Sequence, residues 1–104
     1  MTSLSDKDYS DMYQFLYSRH LTCWGEGISF TKEAQTIACG LLFLNTKLKK
    51  KDVSRVSNIP YFKCSYRITR HCEKLEDLDY AILTNRYWKQ LQEEMNNESK
   101  LGIA

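Results

Sequence analysis

Lys63, Arg67, Arg70 and Lys74 recur three or four residues apart, the spacing that brings side chains onto one side of an α-helix. At about 100° per residue they fall within an arc of roughly 60°. Four cations on one strip repel one another, so the arrangement costs stability unless an anion meets it. Lysine and arginine neutralise phosphate whatever the nucleic-acid sequence, and arginine can also pair with base edges. The four are therefore candidate phosphate or base contacts, with Arg67 or Arg70 in reach of base edges. Lys47, Lys49, Lys50, Lys51 and Arg55 precede them and extend the same candidate surface. The competing reading of all nine is a solvated charged face with no ligand.

The charge distribution favours a polyanion. Residues 47–74 hold nine basic and two acidic side chains, a net +7, while the other segments hold six basic and eleven acidic, a net −5. A chain whose total is only +2 is thus bipolar, able to present one face to a polyanion while its other faces are repelled.

Other chemistries find less support. His20, Cys23, His71 and Cys72 contain the elements of a Cys₂His₂ zinc site. Adjacent residues on a helix diverge by about 100°, however, so His71 and Cys72 converge poorly. Core histidines and buried thiols are the expectation, with no metal and no cofactor. Cys64 and His71 share a helix face, but a nucleophilic dyad also needs an orienting group and a cleft. The chain has no glycine-rich phosphate loop, no nucleophile elbow and no paired carboxylates inside an apolar pattern. A binding domain is expected rather than an enzyme.

These residues need elements to hold them. One hundred and four residues suffice for one domain. Four glycines and one proline are too few for a sandwich or barrel, which demands frequent turns. Ser5-Asp6-Lys7-Asp8 starts a first helix running to about His20, and Gly25 and Gly27 form a loop. Thr31 caps a second helix, whose Ala34, Ile37, Ala38, Leu41, Leu42 and Leu44 make it apolar on most sides and central. A short third helix over about Lys51 to Ser57 turns Val53 and Val56 inward. Asn58 suits a left-handed turn residue, and Pro60 falls in the first turn of a fourth helix, about Tyr61 to Leu75. Asp77 or Asp79 caps a fifth, with Tyr80, Leu83, Tyr87, Trp88, Leu91 and Met95 as an aromatic stripe read as core rather than a base-stacking platform. Residues 1–96 form the domain and 97–104 a frayed tail.

The longest apolar stretch, Ile37 to Leu44, is too short to span a bilayer, and the polar N-terminus has no signal-peptide pattern. No membrane association is expected. Cys23, Cys39, Cys64 and Cys72 are read as free thiols of an intracellular protein, three of them within apolar helical patterns.

The stretch Ala34-Gln-Thr-Ile-Ala-Cys-Gly-Leu-Leu-Phe-Leu, a basic loop, then Asp52-Val-Ser-Arg-Val-Ser-Asn-Ile-Pro resembles the cyclin-like repeat of transcription factor IIB. It is also similar to the related domain of the sixth origin recognition complex subunit. The resemblance covers about Asp11 to Leu75. Asn58 stands where the family has a turn glycine, and Pro60 where it has a serine or threonine. It implies an all-α, five-helix cyclin-type bundle containing a helix-turn-helix, working in DNA-bound initiation complexes, in the nucleus if the source is eukaryotic. The alternative expectation is a protein-interaction adaptor docking an acidic partner through the basic surface. RNA remains a third ligand that charge does not separate from DNA.

Overall fold

The computed structural model describes residues 4–25 and 27–103, with side-chain surroundings as far as residue 96. The chain forms five helices, α1 Asp6–Trp24, α2 Ile28–Asn45, α3 Lys50–Ser57, α4 Tyr61–Lys74 and α5 Leu78–Ile103, with no strand among the described residues. The all-helical expectation therefore holds. No described helix is long and apolar enough to cross a membrane. The expected frayed tail, residues 97–104, lies outside the described side chains. At 26 residues, α5 is about 39 Å long, which accounts for the 41 Å long axis against 27 and 25 Å across.

Helix α2 is the central element, because Thr36 to Leu42 are buried on every side, whereas Leu44, expected among them, is 47% exposed at the helix end. Ala34, Ile37, Ala38, Cys39, Leu41 and Leu42 are all buried, and α1, α3, α4 and α5 all pack against it. Leu16 from α1, Val53 from α3, Ile68 from α4 and Tyr87 from α5 close the core around it. Small residues let α4 come close. At Gly40 an added Cβ would lie less than 3.0 Å from His71 Cβ, Cγ and Cδ2.

Several boundaries differ from the sequence reading. Helix α1 continues past His20 to Trp24, because Trp24 Nε1 donates to the Tyr87 hydroxyl at 2.9 Å and anchors that last turn on α5. It ends at Gly25, whose positive φ excludes most other residues. Helix α2 begins at Ile28, not after Thr31. The Thr31 hydroxyl donates to the Gly27 and Ile28 carbonyls, both at 2.9 Å, as an internal helical residue does. Ser5 caps α1 as expected, accepting from Asp8 N while Asp8 Oδ2 accepts from Ser5 N. Asp77 is the α5 cap, its Oδ1 accepting from Tyr80 N at 3.1 Å.

The connection from α3 to α4 takes three residues. Asn58 is left-handed, φ 57° and ψ 44°, and its N–H donates to Arg55 O while Ile59 N–H donates to Ser54 O. The Ser54 hydroxyl closes the turn onto Ile59 O. Pro60 sits at the cap just before α4, where its missing N–H costs nothing. Left-handed backbone costs an ordinary residue roughly 1–2 kcal/mol. Asn58→Ala should lower stability by about 1 kcal/mol and Asn58→Gly should not, as urea unfolding would show. Equal midpoints for both would remove the turn from the determinants of this fold.

Candidate nucleic-acid interface

Helix α4 carries two opposed faces. Cys64, Ile68 and His71 are buried against α2 and α3, while Phe62, Lys63, Tyr66, Thr69, Arg70 and Glu73 are exposed. Lys63 and Arg70, seven residues apart, lie within about 20° of each other around the helix and about 10 Å apart along it. Both point outward without an ion pair among the described residues.

The other two members of the expected stripe are placed differently. Arg67 is buried, 9% exposed, and its Nε donates to Gln35 Oε1 of α2 at 3.3 Å. The sequence reading put it on an exposed strip. It lies only about 40° around the helix from His71, which is fully buried, so α2 covers both. Lys74 is half-buried, 3.4 Å from Glu33 Oε2, with its ammonium 4.6 Å from the Tyr80 ring centroid. Its charge is already answered within the protein.

Among the residues before α4, Arg55 is engaged too. Its guanidinium meets Asp6 through Nε and Nη2, both at 3.1 Å, and Asp52 through Nη1 at 2.9 Å. Lys50 is half-buried, with its ammonium 5.9 Å from the Phe43 ring centroid. Lys47, Lys49 and Lys51 are exposed. Lys47 borders a groove beside Tyr9 of α1 and Trp88 of α5, away from the outward face of α4. Of nine candidate contacts, then, Lys47, Lys49, Lys51, Lys63 and Arg70 are exposed without an internal acidic partner among the described residues.

Of the four residues with the elements of a zinc site, the two histidines serve the packing. His71 Nδ1 lies 2.7 Å from the Tyr80 hydroxyl, and His20 Nδ1 lies 3.3 Å from that of Tyr87. His20 Nε2 approaches Glu33 Oε1 at 3.1 Å but lacks the alignment of a hydrogen bond. All four cysteines are free, Cys39 and Cys64 buried, Cys23 and Cys72 exposed. Only two of them, not three, act as core hydrophobes. The described residues bring no three His, Cys, Asp or Glu side chains together at metal-binding distance.

Two features escaped the sequence reading. A polar chain passes from Trp24 at the surface through buried Tyr87 and His20 to half-buried Glu33 and Lys74, joining residues up to 67 apart. No local pattern announces it. An open groove of about 420 Å³ lies beside it, lined by Trp24, Phe30, Tyr80, Ile82 and Leu83 with Glu33, Asp79 and Arg86. Of its lining, Trp24 and Ile82 are 55% and 49% exposed, and apolar surface gathered in a groove marks interaction sites more often than scattered single residues do. The chain matches no protein-family model, no curated protein and no solved structure.

Proposed function

We propose that this domain binds nucleic acid rather than catalysing a reaction, and that DNA contacts the outward face of α4 in an initiation or regulatory complex. One observation carries the reading: Lys63 and Arg70 project together from a helix that follows α3 through a three-residue turn at Asn58. A short supporting helix, a tight turn and a longer presenting helix form the layout of the helix-turn-helix. The small-residue α2 ahead of that pair agrees with a cyclin-type arrangement, which carries the nuclear assignment with it for a eukaryotic source. Arg70 is the candidate for base edges, Lys63 for phosphate, and Lys49 and Lys51 for further phosphates, while Lys47 beside Tyr9 and Trp88 lies outside this face. Arg67 acts from behind, by fixing α4 on α2.

Titration of labelled DNA at two salt concentrations tests this. Lys63→Ala with Arg70→Ala should weaken binding by about tenfold or more and lower the salt slope by about one unit, for the phosphate contact of Lys63. Helix content should stay constant, since both side chains are exposed. Lys32→Ala with Lys89→Ala, exposed cations outside the basic segment, is the matched control. Unchanged affinity in the first pair would remove α4 from the interface.

A protein-interaction role is favoured by a different surface. The apolar groove between Trp24, Phe30 and Ile82 suits a partner's apolar side chains. Indifference to DNA, together with a partner lost on Ile82→Glu, would establish that role instead.

A further inference from the structure

Phe62 and Tyr66 are 79% and 61% exposed on the face that also carries Lys63 and Arg70. They are one helical turn apart, so their backbone positions are separated by about 6 Å along the axis. A base held between two rings needs about 7 Å, two stacking distances of about 3.4 Å, and the roughly 40° between the two positions around the helix adds lateral separation to the axial rise to reach it. Tyr66 is also held from one side. The Arg67 guanidinium lies 5.7 Å from its ring centroid, and Arg67 is itself buried and bonded to Gln35. One ring is thus positioned in advance, which lowers the ordering cost of using it.

From this arrangement we infer that α4 binds single-stranded nucleic acid, with an unpaired base stacked between Phe62 and Tyr66 and backbone phosphates on Lys63 and Arg70. The inference rests on the nucleic-acid reading above, with a single strand in place of groove reading and Arg70 on phosphate in place of a base edge. Within a duplex each base face is already covered by its neighbours, and a helix reading the groove needs hydrogen-bonding side chains at the edges. Phe62 offers none. Aromatic stacking beside cations is instead how single strands are held, with little dependence on sequence. The flanking cations select a polyanion over a neutral apolar partner, and among the described residues of α4 only Glu73 opposes them.

The test uses the full chain with labelled oligothymidine, oligouridine and a duplex of equal length at two salt concentrations. The single strands should bind more tightly than the duplex, and the thymidine and uridine arms show whether DNA or RNA is preferred. Phe62→Ala with Tyr66→Ala should weaken single-strand binding by about ten- to a hundredfold and change duplex binding little. Phe62→Trp should retain affinity and lose indole fluorescence as the strand binds. A duplex preference with no effect of the aromatic pair would overturn the inference and leave the nucleic-acid reading standing. Failure to bind any of the three would overturn both. Equal displacement by polyglutamate would reduce the site to charge alone and also overturn the stacking.

Discussion

Gly40→Ala is expected to destabilise the protein by about 2 kcal/mol, although alanine is the better helix former. Propensity alone favours the substitution by about 1 kcal/mol. The new methyl group, however, would lie less than 3.0 Å from three atoms of His71. Those atoms include Cβ and the ring root, which cannot swing away as a long side-chain end can. His71 is also fixed on its far side by the Tyr80 hydroxyl at 2.7 Å. Helices α2 and α4 must then separate, and overpacking a filled core costs about 1–3 kcal/mol, occasionally more. For a domain of this size the melting temperature should fall by about 10 °C. His71→Ala removes two of the three offending atoms, so adding it to Gly40→Ala should cost less than the two single changes together. A Gly40→Ala protein as stable as the parent would mean that α2 and α4 do not approach this closely.

The same approach explains what was legible in the sequence. Helix existence was readable because apolar periodicity is local: Val53 and Val56 turned inward, and Cys64, Ile68 and His71 marked the buried side of α4. Asn58 announced its own left-handed conformation by residue type. The breadth of the buried face was not readable, since it depends on how closely α2 lies, which follows from Gly40, 31 residues before His71. Arg67 was therefore assigned to the surface when it belongs beneath it. Arg55 was misjudged as an available cation for a similar reason, as its partner Asp6 is 49 residues away. Boundaries moved where a tertiary contact extended a helix, as Tyr87 does for α1.

Phe62 and Tyr66 show a different limit. Hydrophobic type suggests burial, but their position about 140–180° from His71 places them outward, and the structure leaves them exposed. The periodicity of α4 gives the positions, but residue type alone does not say that no neighbouring helix covers them. Two aromatic rings exposed next to two cations are a chemical unit, whereas either pair alone reads as ordinary surface.

Acid is expected to unfold this domain earlier than its carboxylates alone would dictate. His71 is fully buried, and burial, with Lys74 nearby, pulls its pKa down to about 4. His20 is also lowered, chiefly by burial, with Glu33 working against the shift and Lys74 adding to it. In the unfolded chain both titrate near 6.5. As the pH falls below about 6.5, the unfolded state binds protons that native His71 refuses until about pH 4, so stability declines across that window. The His71 shift corresponds to a loss of about 3 kcal/mol by its lower end. Asp8 and Asp52 are held low by their cap hydrogen bonds. Their contribution is present above the unfolded value near 3.8 and disappears below it, so it adds a later, separate loss. Urea unfolding at several pH values between 7 and 5 isolates the histidine part. His71→Phe keeps a ring over Gly40 without the titrating nitrogen, and its slope should be shallower than the parent's by up to about 1.4 kcal/mol per pH unit. Its absolute stability can fall for loss of the Tyr80 contact, but the slope is independent of that loss. A parent whose stability is flat from pH 7 to 5 would show that the buried histidines open to solvent at little cost.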